Sequence, residues 1–213
     1  SDPAVDKFPA WSPDGRSIAF IRERGDKDEV LLIPAIGGPE RRLVQTAHDL
    51  PWGPSLNPPY LSWSPDSKYL VTVDRASPGE LPGLFVLSVA TGEKRRLTTP
   101  PAPALADTNP AVSPDGRALA FVRVISTSNP QLYVLPLSED YRPTGAARRL
   151  DVPQPWVVNP AWTAEGREIV CSAGPPWIGG MLWRVSVSDS EKPVPLASLG
   201  KTSFQPTISR QGN

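Results

Sequence analysis

The sequence has little of what metal sites and disulfide frameworks need. Its 213 residues include one cysteine, Cys171, and one histidine, His48. The chain therefore cannot form an internal disulfide, and it cannot build a Cys/His metal site alone. Calcium would need more oxygen ligands at closer spacing than Asp26, Asp28 and Glu29 provide, and a hairpin tip suits them better. We expect neither a metal nor a cofactor.

The chain also lacks a charge imbalance and a long apolar run. Lys plus Arg number 22, and so do Asp plus Glu. A balanced charge gives no long-range attraction to nucleic acid or anionic lipid, and acidic residues interleave the arginine pairs. No apolar run reaches the roughly 18 residues of a membrane span. We expect no nucleic acid to bind this fragment and no membrane span in it.

Catalytic motifs are missing as well. The sequence has no Gly-x-Ser-x-Gly elbow, no His-Glu-x-x-His pair and no phosphate-binding Gly-Lys-Ser/Thr loop. A serine triad would have to use His48, and no recognisable nucleophile turn accompanies it. Cys171 lies in an apolar segment that is typical of an inert core thiol. We expect no catalytic residue and no enzyme activity in this chain.

What the chain does contain is an internal repeat. The segment Pro9-Ala10-Trp11-Ser12-Pro13-Asp14-Gly15-Arg16 recurs at Leu61–Lys68, Pro110–Arg117 and Pro160–Arg167, and a fifth copy starts at Pro206. The copies lie about 50 residues apart, which is typical of one four-stranded propeller blade. We expect turns in which Pro fixes φ, the acidic residue bonds nearby N–H groups and Gly accepts a positive φ. The predicted turn residues are Asp14, Gly15, Asp66, Asp115, Gly116, Glu165 and Gly166.

Each unit has the same order of segments. A short strand ending at the Trp position precedes the turn, a strongly apolar strand follows, and then come an alternating strand and a short charged one. This pattern predicts an all-β fold, a β-propeller of four-stranded antiparallel blades, with four blades and the start of a fifth. The predicted bounds are about 6–46, 59–100, 108–152 and 158–200 for blades 1 to 4, and 203–213 for the incomplete fifth blade.

The runs Trp11-Ser12-Pro13-Asp14-Gly15-Arg16 and Ser113-Pro114-Asp115-Gly116-Arg117 resemble the WD-like repeat of TolB-like β-propellers. The residues at Thr91–Thr98 and Ile208–Asn213 are most similar to those in propellers of bacterial winged-helix transcriptional regulators and Ser/Thr kinase-linked sensors. Ser67, Ala164 and Arg210 depart from the motif at single turns. The resemblance implies a fragment of a larger propeller of six or more blades. We expect the parent protein to continue beyond Asn213, because the fifth repeat has a first strand and a turn but no second strand.

The same resemblance leaves three functions open. The first is a non-catalytic sensory or interaction domain of a bacterial transcriptional regulator or signalling protein, on the periplasmic side of a membrane in preference to the cytoplasm. The second is a TolB-like periplasmic scaffold protein. The third is the gating propeller of a prolyl-oligopeptidase-type peptidase, which requires a hydrolase domain downstream. One fold hosts many functions, so the fold alone does not choose among them.

Propellers bind at the mouth of the central channel, where loops of all blades converge. The candidate rim residues for a protein or small-molecule ligand are Phe8, Tyr60, Asn109, Asn159, Gln205, His48, Trp52, Asp107 and Trp156. For Asn109 and Asn159 the alternative is that each only satisfies backbone before a proline. Trp52 could equally cover a blade. Bare faces at the ends of a partial ring also predict self-association through exposed blade edges.

Overall fold

The computed structural model describes residues 4–25, 27–47, 61–175, 180–188, 191–196 and 206. These residues form sixteen strands in four separate four-stranded antiparallel sheets, and the described part of the chain contains no helix. The predicted all-β fold with four-stranded antiparallel blades is confirmed. We number the sheets as blades 1 to 4 in chain order. The predicted fifth repeat lies outside the described residues, except for Pro206.

The strands follow one another in chain order. Blade 1 contains β1 to β4, at Val5–Trp11, Ser17–Arg24, Lys27–Pro34 and Arg41–Ala47. Blade 2 contains β5 to β8, at Leu61–Trp63, Tyr69–Asp74, Gly83–Ser88 and Lys94–Arg96. Blade 3 contains β9 to β12, at Ala106–Val112, Ala118–Val124, Pro130–Pro136 and Arg148–Arg149. Blade 4 contains β13 to β16, at Val157–Trp162, Glu168–Ala173, Met181–Ser186 and Val194–Pro195.

Within every blade the strands pair in sequence order, so the first and last strands are the two edges. The first strands β1, β5, β9 and β13 contact one another from blade to blade. They are therefore the innermost strands, on the side of the central axis. We call the end of the blades where the innermost strands begin the upper rim, and the end with the Ser-Pro-Asp turns the lower rim.

Burial changes from the middle of each blade to its outer edge. The second strands of blades 2 to 4 are mostly buried, as in β10, where six of seven residues are buried. In blades 2 and 3 neighbouring sheets cover both faces of these strands, which are therefore continuous apolar runs. The outer strands β12 and β16 are exposed. Arg148, Arg149 and Pro195 on these strands discourage pairing with other sheet edges.

Three apolar clusters join the blades. Between blades 1 and 2, Ile21, Val30 and Leu32 pack against Trp63 and Leu70. Between blades 2 and 3 the corresponding cluster is built around Val71, Leu84, Leu119 and Phe121, and between blades 3 and 4 around Leu132, Ile169 and Trp183. Burial of these side chains holds one blade against the next, because each sheet has two apolar faces.

The Ser-Pro-Asp turns form the same hydrogen-bond network in blades 1 to 3. In blade 1 the Ser12 hydroxyl donates to Asp14 at 2.6 Å, and the Arg16 N–H donates to the same carboxylate oxygen at 3.0 Å. Gly15 takes φ = 72°, a conformation that glycine adopts without steric cost. Blade 4 differs, because the Glu165 carboxylate makes no hydrogen bond within the described residues. The longer Glu165 side chain does not reproduce the Asp contact.

The acidic stretch near Asp28 and Glu29 belongs to a strand rather than to the tip of a hairpin. Both residues lie in β3, paired with Glu23 and Arg22 of β2. Glu29 is buried and binds Arg42 at 2.9 Å and Arg24 at 3.1 Å. The hydrogen bond from Arg42 holds the pKa of Glu29 below its usual range, and burial opposes this shift only in part. These two arginines compensate the charge of Glu29, so that an acidic residue is tolerated at a buried strand position.

Candidate functional site at the axis of the propeller

The innermost strands of blades 1, 3 and 4 each contain a bulge at the same repeat position. The register shifts after Lys7 in β1, after Thr108 in β9 and after Val158 in β13. The residues at these shifts are Phe8, Asn109 and Asn159, each followed by a proline. A bulge inserts an extra residue into one strand and re-aims its side chain. Three predicted rim residues therefore occupy equivalent places beside the axis.

All three bulge residues have left-handed backbone. Their φ values are 55° for Phe8, 50° for Asn109 and 53° for Asn159. This region costs a residue with a Cβ atom roughly 1–2 kcal/mol, and Asn accepts it more readily than Phe. A strained position that recurs in three blades is held by the surrounding ladder. The side chain at that position therefore determines whether a bulge carries an amide, as in Asn109 and Asn159, or an aromatic ring, as in Phe8.

An amide bridge joins the bulges of blades 3 and 4. Asn109 Nδ2 donates to Asn159 Oδ1 at 2.6 Å. Asn109 is only 2% exposed, and its own Oδ1 has no hydrogen-bond partner among the described residues. The Thr108 hydroxyl, one residue earlier, is also buried without a described partner. Buried polar atoms of this kind call for a partner such as water or a ligand. Asn159 is half-buried and forms the more open end of the pair.

Asp107, another predicted rim residue, forms a buried ion pair near the upper rim. It is fully buried, and its two oxygens accept from Arg123 at 2.7 and 2.9 Å. The Arg123 guanidinium also lies over the Tyr133 ring, 4.7 Å from its centroid. The Asp107 N–H donates to the Pro82 carbonyl of blade 2 at 3.0 Å. Asp107 therefore stabilises the interface of blades 2 and 3 and is not open to a ligand.

The arginine partners of Asp107 and of Asp6, its counterpart in blade 1, were not predicted from the sequence. Blade 1 repeats the pair, because Arg22 binds both oxygens of Asp6 at 2.7 and 2.8 Å and also binds Glu40. In both blades the arginine follows the aspartate by 16 residues, directly across the first ladder. That shared spacing is the signal that could have revealed them.

The other predicted rim residues divide into two groups. Trp156 precedes β13, is half-buried and has φ = 63°, so it lies at the upper rim beside the start of an innermost strand. His48, Trp52, Tyr60 and Gln205 lie outside the described residues. The site that can be described therefore consists of Phe8, Asn109, Asn159 and Trp156.

Tryptophans at the lower rim anchor blades 2 and 4 to the blade that precedes each of them. Trp63 Nε1 donates to the Ala10 carbonyl at 2.9 Å, and Trp162 Nε1 donates to the Ala111 carbonyl at 2.8 Å. Both side chains are 8% exposed. In blade 3 the anchor position is Val112, and its N–H donates to Ser62 of blade 2 instead. The Trp of the repeat thus binds main chain of the preceding innermost strand.

The described residues include few groups that could act as a nucleophile or bind a metal ion. Cys171 is fully buried, and burial raises its pKa to about 12, so its thiol stays protonated at neutral pH. Within the described ranges no group of three or more His, Cys, Asp or Glu side chains could hold a metal ion. No described helix is long and apolar enough to cross a membrane. What the bulges of the innermost strands offer is hydrogen bonding by the amides of Asn109 and Asn159.

The repeat, the radial contacts of the innermost strands and the blade anchors define the fold. A family model described as the TolB beta propeller domain matches residues 8–212. The chain belongs to the TolB beta propeller domain family. This confirms the coarser part of the resemblance read from the Ser-Pro-Asp-Gly runs. It does not reach the finer likeness to regulator or kinase-linked propellers.

Solved β-propellers share the fold. TolB from Acinetobacter baumannii superposes with a TM-score of 0.75 at 20% identity, covering 98% of this chain and 47% of that one. The β-propeller domain of the Trilobed protease from Pyrococcus furiosus, which has an open velcro topology, superposes with a TM-score of 0.61 at 12% identity. That match covers 96% of this chain and 60% of the Pyrococcus chain. At these identities the likeness concerns the fold.

A curated relative shows higher identity over a shorter stretch. It is an uncharacterised peptidase, YuxL, from Bacillus subtilis strain 168, 34% identical over 148 residues. The alignment covers 53% of this chain and 21% of the relative. The chain thus spans about a fifth of that protein and about half of the Acinetobacter TolB.

Proposed function

We propose that this TolB beta propeller domain is a non-catalytic binding domain that holds a peptide segment of a partner protein at the axis. The observation that carries the proposal is the Asn109–Asn159 amide pair, held in left-handed backbone on adjacent innermost strands. An amide offers both a donor and an acceptor, which is what a peptide main chain needs. Trp156, which precedes the same strand as Asn159, adds half-buried aromatic surface, and Phe8 occupies the equivalent bulge of blade 1.

Strained backbone supports a binding role because such positions concentrate at ligand sites. The competing explanation is that Asn only tolerates the conformation that the bulge requires. The two explanations differ in what the amide does, since glycine accepts the same φ without an amide. An Asn→Gly change therefore separates binding from backbone geometry.

The test starts from a display library of random linear dodecapeptides, panned on the 213-residue chain. Peptides that bind are synthesised and measured by fluorescence anisotropy against wild type, Asn159→Gly and the control Ile36→Ala, which changes a 99% exposed turn residue. We expect Asn159→Gly to weaken binding at least tenfold while the chain stays folded, with a Tm lowered by a few degrees because the buried Asn109 Nδ2 loses its acceptor. Equal affinity of Asn159→Gly and wild type, or no selected peptide at all, would contradict the proposal.

A second candidate within the same proposal is a propeller that gates a peptidase. The similarity to YuxL, which is named as a peptidase, favours it. It requires a hydrolase domain with a Gly-x-Ser-x-Gly elbow in the same polypeptide. The test is peptidase activity of the full polypeptide on short and long peptides. We expect Asn159→Gly to change the ratio of these activities, and an absence of peptidase activity would exclude this candidate.

A regulator domain and a TolB-like scaffold protein, the other two functions that the sequence left open, stay predictions. A transcriptional regulator would bind DNA through a domain outside residues 1–213, because the chain has no excess of positive charge. DNA binding by the 213-residue chain itself would contradict that prediction.

A further inference from the structure

Two buried acceptor atoms belong to consecutive residues of β9, and neither has a hydrogen-bond partner among the described residues. They are the Thr108 hydroxyl oxygen and Asn109 Oδ1, and each residue is only 2% exposed. Leaving a buried polar atom without a hydrogen bond lowers stability, and most such atoms in native proteins are bonded. Two of them in consecutive residues therefore indicate a place that a bound group completes.

Both atoms lie on the side of β9 that faces blade 4. Thr108 pairs with Val122 across the ladder, and Ala120, two residues before Val122, belongs to the apolar cluster between blades 3 and 4. Because paired residues and alternate residues share a face of a sheet, the Thr108 side chain is directed towards blade 4. The Asn109 amide has the same direction, since its Nδ2 donates to Asn159 of blade 4.

The bulge itself does not require this pair of groups. The equivalent residues of the other two described bulges are Lys7-Phe8 in blade 1 and Val158-Asn159 in blade 4. Neither of these pairs places a hydroxyl oxygen beside an amide oxygen. The combination is therefore a property of blade 3 and not of the fold.

The described innermost strands contain no charged side chain outside an ion pair. A charged group that is buried without a partner of opposite charge is costly, so the group that completes this place is neutral. The ion pairs of these strands are Asp6–Arg22, Lys7–Glu23 and Asp107–Arg123.

We propose that this place binds the carboxamide of a glutamine or asparagine side chain in the partner peptide, an inference that rests on the peptide binding proposed above. One carboxamide nitrogen has two N–H donors and no charge, whereas a hydroxyl has one donor, an ammonium group is charged and a carboxylate has no donor. Its two N–H groups donate to Thr108 Oγ1 and Asn109 Oδ1.

The carboxamide takes the place that the Asn159 amide has in the structure. Its oxygen accepts from Asn109 Nδ2, which donates to Asn159 Oδ1 without the peptide. The half-buried Asn159 side chain rotates away and is then available to the peptide main chain. This exchange gives the peptide access to two atoms that are otherwise buried.

Thr72 provides a matched control for Thr108. Its hydroxyl is also buried and has no partner in the described part of the chain, but it lies in β6, the second strand of blade 2. A Thr→Val change removes the hydroxyl and keeps the shape of the side chain. We expect neither Thr108→Val nor Thr72→Val to lower the Tm, because neither change breaks a hydrogen bond.

The test pans a library of random linear dodecapeptides separately on wild type, Thr108→Val and Thr72→Val. We expect Gln or Asn at one fixed position in the peptides selected on wild type and on Thr72→Val, and no such preference on Thr108→Val. A peptide selected on wild type is then synthesised with this residue unchanged, replaced by its acid (Gln by Glu, Asn by Asp), or replaced by Leu.

Fluorescence anisotropy gives the affinities of the three peptides. On wild type we expect each replacement to weaken binding at least tenfold, because the acid and Leu have no N–H to donate. Thr108→Val should weaken binding of the unchanged peptide at least tenfold and leave binding of the Leu peptide as it is on wild type, which is the coupling of a double-mutant cycle. Thr72→Val should bind all three peptides as wild type does.

Three results would overturn this inference and leave the proposed function intact. The first is peptides that depend on Asn159 but show no preference for Gln or Asn. The second is an equal loss of the unchanged and the Leu peptide on Thr108→Val. The third is a lower Tm of Thr108→Val than of Thr72→Val, which would show that the Thr108 hydroxyl has a structural partner such as a buried water. A library that yields no peptide would overturn both proposals.

Discussion

Asp6 and Asp107 hold the same position in the repeat and bind an arginine through both carboxylate oxygens. Their surroundings differ, because blade 2 packs over Asp107 and no described blade packs over Asp6. An ion pair in water contributes little, since solvent screens it. Loss of one partner from a buried pair leaves a charge without compensation. The same two residues therefore have different energetic weight in blades 1 and 3.

We predict that Asp107→Ala lowers the free energy of unfolding by about 3–5 kcal/mol, because Arg123 is left buried and unpaired. Asp6→Ala is the matched control and should cost no more than about 1 kcal/mol in the 213-residue chain. Urea denaturation followed by intrinsic fluorescence gives both values. Similar losses for the two variants would show that coverage by blade 2 does not decide the strength of the pair.

At the scale of elements, the Ser-Pro-Asp turns fix how each innermost strand leads into the second strand. In blade 3 the Ser113 hydroxyl and the Arg117 N–H both donate to Asp115. Burial of this carboxyl would raise its pKa, but these hydrogen bonds outweigh it and hold the pKa below the usual range. Asp66 behaves in the same way, and at Asp14 the hydrogen bond from Ser12 is the main cause of the lowered pKa.

These lowered pKa values predict a loss of stability in acid. A carboxyl with a lower pKa in the folded state contributes its stability fully above its unfolded pKa of about 3.9, and loses it as the pH falls through the folded value. We expect the urea concentration at the midpoint of unfolding to decrease once the pH is lower than about 4. The triple change Asp14→Asn, Asp66→Asn and Asp115→Asn should flatten this fall, because Asn keeps an acceptor that does not titrate.

Asp151→Asn is the control for the turn variants, since the Asp151 side chain is 86% exposed. Its pH profile should match that of wild type. An unchanged slope in the triple variant would show that the acid sensitivity comes from other carboxylates, of which Glu29 with its arginine contacts is the first to examine.

At the scale of the whole molecule, the blades differ in how many neighbours they have. Blades 2 and 3 pack against a blade on each face, whereas among the described residues blade 1 packs only on blade 2 and blade 4 only on blade 3. Local opening requires less energy where fewer apolar contacts must break. The interior of the described arc is therefore its most stable part.

Hydrogen exchange with mass spectrometry tests this order. We predict that the amides of β6 and β10 exchange at least tenfold more slowly than those of β2 and β14. All four are second strands of their blades, so they serve as controls for one another in strand position. Exchange at one common rate would show instead that the four blades open as a single unit.

The repeat predicted the blades closely, and the reason lies in the residues themselves. Short segments such as Ser113-Pro114-Asp115-Gly116 bond their own backbone, so the turn is encoded locally. The second strands of blades 2 and 3 are continuous apolar runs because a neighbouring blade covers each of their faces. Asp28 and Glu29 were predicted at a hairpin tip, but both lie within β3. Arg24 and Arg42, one in each neighbouring strand, pair with Glu29 and compensate its charge inside the sheet.

The candidate site was predicted only in part. Phe8, Asn109 and Asn159 were predicted as rim residues, and they share the bulge inside the innermost strands. Nothing in the sequence placed the amide of Asn109 on that of Asn159, because the two lie 50 residues apart. Asp107 was chosen as a rim residue, and only the packing of blade 2 shows that its charge is buried.

The amino-acid sequence by itself determined the blade count of the described arc, the order of strands and the turns, because all of these arise from contacts within one fifty-residue unit. The tertiary structure decided which side of each sheet meets its neighbour and which aspartate is buried. Those properties depend on the blade next to it, and a repeat unit does not encode whether a neighbour covers its face.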